Sequence, residues 1–264
     1  MPSVQLTRLR QQAVELAEFF PQPEIFARRL DLLLESYSVK TSRKGEIKGG
    51  QQSVLPSYRA PAQVLNQVLL ECRPLAADEP ELALAVCDKL WHRRMLEPRQ
   101  LAARLLGQTP VRNTDEISRR ILDWNEKNRE PALAEAIAVE ATEWLREEQP
   151  YALIAFFSAC LDEKGWRPRA LGLLALTALL AETEFPDLPA VHKALEQRMD
   201  VIEKRLRPYW LDVYLALLKR APQETLYLLQ QRLKASEDES LRWVARHLLD
   251  HVGAEDQAAL RAAL

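Results

Sequence analysis

The sequence predicts an all-α fold: a right-handed solenoid of stacked helical pairs, forming one C-shaped domain over residues 1–264. Three observations predict it. Glycine is scarce, 7 of 264 residues, whereas β-rich chains need glycine in their turns. Apolar residues recur at helical spacing along nearly the whole chain. Prolines and glycines interrupt that spacing at helix-length intervals, leaving linkers of about two to six residues, which imply antiparallel neighbours.

The elements follow in order. Leu6, Leu9, Ala13, Leu16 and Phe20 make a first amphipathic face that Pro21 and Pro23 end. Ile25, Leu30, Leu33 and Leu34 make a second. Across 38–60 the pattern fails. This stretch carries Lys40, Arg43, Lys44, Lys48 and Arg59 against Glu46 alone, with three glycines. It is expected to be a flexible basic loop, either a simple tip or a grip on a phosphate backbone. Helix resumes at Pro61, a good first-turn residue. Further helices are expected at 61–73, 79–92, 95–107, 114–127, 130–147, 149–162, 166–182, 187–205, 208–221, 223–235, 238–252 and 254–263. The repeat region proper is 61–252. No helical pair could bury its apolar face alone, so the pairs must stack.

Composition bounds the function. Apolar residues are 47% and charged residues 28%, enough for a large core and a solvated surface. Net charge is -2 with a pI near 6.2. That does not advertise nucleic-acid binding, although a net value hides local patches. Cys72, Cys87 and Cys160 are scattered in apolar contexts without a CxxC pair. Buried thiols in a reducing, cytoplasmic compartment are expected. The N-terminus lacks an apolar signal core. The longest apolar run, Ala170 to Ala181, falls well short of the about 20 residues a membrane span requires. Phosphate-binding glycine loops, HExxH and GxSxG are absent, so no cofactor is expected. His247 and His251 form an i, i+4 pair without a third ligand. They are expected to flank a helix end rather than hold a metal.

One motif recurs. Leu90-Trp91 precedes Glu97, Arg99, Ala102 and Ala103. Trp166, Arg167, Arg169 and Ala170 lead into Leu173-Leu174. Arg242, Trp243, Ala245 and Arg246 lead into Leu248-Leu249. The tryptophans lie 75 and 77 positions apart. Half of that approaches one two-helix repeat of the HEAT, or armadillo-like, type. Each copy is expected to set a Trp and an Arg at the head of an apolar helix. Arg99, Arg167, Arg169, Arg205, Arg207, Arg242 and Arg246 would then line a concave groove and clamp phosphates, which the guanidinium fork suits. The alternative makes each Trp a packing residue and each Arg a solvated flank. Likewise Trp210 and Tyr214, with Tyr209 and Tyr227, form either a base-stacking platform or core.

On these residues the chain resembles the HEAT-like DNA alkylation repair proteins, the AlkD-type DNA glycosylases. Leu90-Trp91, Glu97 and Ala102 look like that family's Leu-Trp, its acid six residues on and its Ala-rich helix. Trp166, Arg167, Arg169 and Ala170 look like the head of a later inner helix. Pro61 is similar to the family's early helix-opening Pro, although Gln63 and Val64 stand where an Arg is usual. The likeness spans about residues 60 to 250. It implies duplex DNA in the groove and, for a working enzyme, release of cationic 3-methyladenine or 7-methylguanine. It further implies aromatic residues holding the lesion's sugar edge and an Asp beside the anomeric carbon. The chain departs from that pattern at Asn128 to Ala134, which holds neither Trp nor Asp. Glu130, or Asp123 with Trp124 just upstream, would have to serve, and Trp210 or Tyr214 would supply a third aromatic.

Two functions are therefore expected: a monomeric, cytoplasmic duplex-DNA-binding repair protein, or a HEAT-repeat scaffold for protein partners. The charge of the arginine surface separates them. Arginines without acid partners favour DNA. Arginines paired with Glu135, Glu140 or Glu143 favour a scaffold.

Overall fold

A computed structural model describes residues 5–38, 55–182, 185–196, 198 and 202–264. Among these residues all regular structure is helical and there is no strand. Their contacts divide the chain into two compact units, Met1–Trp144 and Leu145–Leu264.

The N-terminal unit holds α1 (Leu6–Ala17), α2 (Pro23–Ser36), α3 (Ala62–Asp78), α4 (Pro80–Trp91), α5 (Leu96–Leu106), α6 (Thr114–Lys127) and α7 (Pro131–Glu135). A π-helical turn, Ala136–Glu140, follows, and then α8 (Glu143–Glu148) begins. Alternate helices pack together: α1 on α3, α3 on α5, and α2 on α4. Pro23, Pro80 and Pro131 open their helices, where a missing N–H costs nothing.

Pro74 does not end its helix, as the sequence predicts; α3 runs through it to Asp78. Proline frees the carbonyl four residues back. Here that residue is Leu70, 61% exposed, where water can satisfy the oxygen. The single helix expected over 130–147 is broken into α7, the π turn and α8. The cause is a backbone approach at Gly107. A Cβ there would lie 1.8 Å from the Glu140 carbonyl oxygen. The Gly107 carbonyl accepts from the Trp144 amide at 2.7 Å, and the Ala141 amide donates back to Ala136, five residues away. The π turn lets the chain pass this contact.

The C-terminal unit holds α9 (Pro150–Asp162), α10 (Trp166–Ala181), α11 (Leu188–Glu196), α12 (Arg207–Arg220), α13 (Pro222–Ala235), α14 (Glu239–Leu248) and α15 (Ala254–Ala263). Short 3-10 turns, Lys204–Leu206 and Leu249–His251, precede α12 and follow α14. Thus the helices expected at 187–205 and 238–252 are each shorter and finish or restart in tighter turns. α12 packs between α10 and α14, while α11 packs on α9 and α13 on α15. Gly172 stands mid-helix, where glycine costs about 1 kcal/mol relative to alanine. The cost is offset because a Cβ there would lie 2.8 Å from that of Cys160 on α9. Side-chain bonds tie positions 36 residues apart: Arg146–Glu182, Tyr151–Asp187, Arg198–Asp162 and Ile202–Asp238.

The recurrent tryptophans do not share one helical position. Trp91 is the last residue of α4, Trp166 the first of α10, and Trp243 lies inside α14. Only Trp166 stands at a helix head as the recurrence predicts, because the helix boundaries do not follow the motif.

Gly107→Ala is expected to destabilise the protein by about 3 kcal/mol or more, since backbone rather than a flexible side chain occupies the space. Leu70→Ala, on the exposed face of α3, should shift stability by less than about 0.5 kcal/mol. Urea unfolding midpoints of the two variants check both expectations.

Candidate functional site

The richest cluster lies where α10, α12 and α14 begin. Gly165 has φ +97°, a conformation favouring glycine, and turns the chain into α10. Trp166 is the first helical residue and is half-buried. The Arg167 guanidinium carbon lies 5.5 Å from its ring centroid, and that of Arg205, from the 3-10 turn before α12, lies 6.0 Å away. Arg205 is exposed. On the next helix, Arg207 sits 5.8 Å from the Trp243 ring and donates from Nε to Ser240 Oγ at 3.0 Å. The His247 ring stacks on Trp243 at 3.8 Å, its Nδ1 2.8 Å from the Trp243 carbonyl oxygen.

Three acids of this surface are committed. Glu203 pairs with Arg169 Nη1 at 2.5 Å, and Arg169 Nε also donates to the Glu163 carbonyl. Arg169 thus takes Glu203 rather than Glu135, Glu140 or Glu143. Asp238 caps α14, accepting from the Ser240 and Leu241 amides, and accepts from the Ile202 amide as well. Asp162 is held by both Nε and Nη2 of Arg198, which keeps its carboxyl below the usual range. Among the described residues, Arg167 and Arg205 have neither an acid partner nor a hydrogen bond. They bring two positive charges to the start of α10, whose first amides no side chain caps.

The other expected phosphate contacts are engaged elsewhere. Arg99 donates from Nε to the Trp91 and Arg93 carbonyls, both at 2.9 Å, closing the end of α4. Arg242 donates to the Leu264 carbonyl. Arg246 lies 3.9 Å from Glu239, both exposed. Lys40, Arg43, Lys44 and Lys48 fall outside the described residues.

Of the residues nominated for catalysis, Asp123 and Trp124 face different ways. Neighbours on a helix point about 100° apart, and α6 places Asp123 outward and Trp124 inward. Asp123 pairs with Lys127 at 2.5 Å on the surface. Trp124, 2% exposed, stacks flat on Trp91 at 4.4 Å. Glu130, 3% exposed, accepts from the Leu55 amide at 3.0 Å, and its own backbone is bonded to the Asn128 side chain. Trp210 and Tyr214 are buried with rings 6.3 Å apart, and burial pushes the Tyr214 phenol up. They form core rather than a platform for bases.

One constellation escapes the sequence. Glu97, buried, accepts from Ser57 Oγ at 2.6 Å and from the Tyr58 and Arg59 amides at 3.1 and 2.7 Å. Arg59 takes φ 55°, rare outside glycine. With Glu130, this carboxylate straps residues 55–59 across the helices. Burial and the Asp31 carboxylate push the Tyr58 phenol up to about 12. The partners lie about 40 and 75 positions from the acids in sequence, beyond any local pattern.

Among the described residues no group of three or more His, Cys, Asp or Glu is placed to hold a metal, and no helix is long and apolar enough to cross a membrane. Comparison with family models, with curated proteins and with solved structures finds no match for this chain.

Glu97→Ala is expected to cost about 2 kcal/mol or more, since three donors lose their acceptor. Asp123→Asn, breaking an exposed i, i+4 pair, should cost no more than about 0.5 kcal/mol. Chemical denaturation at neutral pH checks both. Because the folded phenol of Tyr58 titrates above the unfolded one, its contribution is intact below pH 10 and is lost as pH rises towards 12. Tyr58→Phe should therefore flatten the alkaline limb of a stability–pH curve, read by thermal melting.

Proposed function

We propose that this protein is a right-handed α-solenoid that binds the phosphate backbone of duplex DNA through the start of α10 and the turn before α12. The observation that carries this reading is the pair Arg167 and Arg205, which flank Trp166 without acid partners while Glu203, Asp238 and Asp162 are all engaged. Guanidinium forks match phosphate oxygens, and helix starts add positive potential. The stacking of alternate helices and the 36-residue spacing of the cross-links support repeated helical pairs. The likeness to AlkD-type proteins around Leu90-Trp91 and Trp166–Ala170 agrees with DNA as the partner. Three buried cysteines suit a reducing, cytoplasmic compartment.

Binding without base excision fits the carboxylates best. Excision of a cationic purine needs a negative group beside the anomeric carbon. Asp123 is occupied by Lys127 on the outer face of α6, and Glu130 is buried under the 55–59 strap. A protein-binding scaffold is the second reading, favoured by the pairing of Arg169 with Glu203.

Fluorescence anisotropy with a labelled duplex across a salt series tests the first reading. Engagement of two or more phosphates predicts a log–log slope steeper than about -1.8, and the Arg167→Ala/Arg205→Ala variant should lower its magnitude by about 2. A wild-type slope near zero excludes backbone contact and leaves the scaffold. Methylated duplex should release no alkylpurine; release that Glu130→Gln abolishes would restore catalysis.

A further inference from the structure

We propose that Trp166 is a positioning residue: its indole holds Arg167 and Arg205 in the arrangement that engages phosphate. This inference rests on the DNA-backbone reading above. A free arginine spreads its charge over many rotamers, and ordering it on binding opposes association. An aromatic face attracts the guanidinium and restricts it, and a guanidinium held there keeps in-plane donors for phosphate oxygens. Trp166 gathers one cation from its own helix and another from the turn before α12, at 5.5 and 6.0 Å. The two charges thus share one ring although they are 38 positions apart in sequence.

The other copies of the motif show why Trp166 differs. Trp91 is 4% exposed, one face is covered by Trp124, and its arginine, Arg99, spends Nε on two backbone carbonyls. Trp243 carries His247 on its ring, and its arginine, Arg207, is bonded to Ser240. Of the three motif copies, only that at Trp166 combines ring contact with cations whose donors are uncommitted among the described residues; outside the motif, Arg29 lies 3.7 Å from the Phe19 ring but gathers no second cation there. The pairing of Arg169 with Glu203 is part of the device, since it takes up the carboxylate two residues from Arg205.

A mutant cycle on the full chain separates positioning from packing. Duplex affinity is measured by anisotropy at low salt for the wild type, Trp166→Leu, Trp166→Phe, Arg167→Ala/Arg205→Ala, and each Trp166 variant in the double-alanine background. Circular dichroism verifies folding. Trp166→Leu should weaken binding about threefold to tenfold, the range of one to two ring-held cations. Trp166→Phe should recover most of that loss, and neither change should matter once both arginines are gone. The inference is overturned if Trp166→Leu binds like the wild type. It is equally overturned if its loss adds in full to that of the double variant, because the indole would then act independently of the arginines. Should Trp166→Leu fail to fold, the same cycle with Trp166→Met, which also lacks an aromatic face, decides: a loss that vanishes in the double-alanine background supports positioning, and no loss or an additive one refutes it. If the double-alanine variant itself binds with wild-type affinity and salt slope, the DNA-backbone reading fails instead.

Discussion

Packing of α12 between α10 and α14 sets the distances on which the candidate surface depends. Because α12 lies against both neighbours, the turn that enters it passes beside the head of α10 on one side and α14 on the other. Arg205 thereby reaches Trp166, and Arg207 reaches Trp243 and Ser240. The same juxtaposition delivers Glu203 to Arg169 and the Ile202 amide to Asp238. The rows are held apolar side to apolar side by residues such as Leu173, Leu176, Val213, Leu217 and Val244, all fully buried. Burial of this kind contributes on the order of 2 kcal/mol per large side chain. It far exceeds what the exposed polar links above it supply, so the links take their geometry from the core.

Arginine serves two purposes on this scaffold, and its donors show which. Arg99, Arg220 and Arg232 donate to main-chain carbonyls at or just beyond the ends of neighbouring helices, supplying the donors those ends lack. Arg198 and Arg169 neutralise acids. Arg167 and Arg205 do neither: they share one ring without an acid partner among the described residues, within a chain of net charge -2. Two cations match the proposed contact with few phosphates, which would be salt-sensitive and sequence-independent.

The carboxylates tell a parallel story in the N-terminal unit. Glu97 and Glu130 are almost wholly buried, yet each is given donors by the 55–59 strap. A buried carboxylate is tolerated when hydrogen-bonded. Committed in this way, these two acids shape the chain rather than offer a charge to a ligand. The acid six residues after Trp91, which carries part of the family likeness, is thus also a structural anchor.

Much of the architecture was legible in the sequence, because helical periodicity and proline placement are local. Scarce glycine and the 3.6-residue spacing of apolar side chains determined an all-helical chain, and prolines at 80, 131, 150 and 222 marked helix starts within a residue, while Pro23, read as ending the first helix, instead opens α2. The cysteines lie buried, as their apolar neighbours imply. Local pattern failed where a partner distant in sequence intervenes: the Gly107 approach that breaks 130–147, and the partners of Glu97. It failed in the same way at the candidate site. The residue types of the proposed phosphate contact could be read off as Trp166, Arg167 and Arg169, but not that Arg169 is neutralised by Glu203 while Arg205 joins Arg167 at one ring. Charge pairing depends on distances between helices, and only the tertiary packing of α10 against α12 decides those.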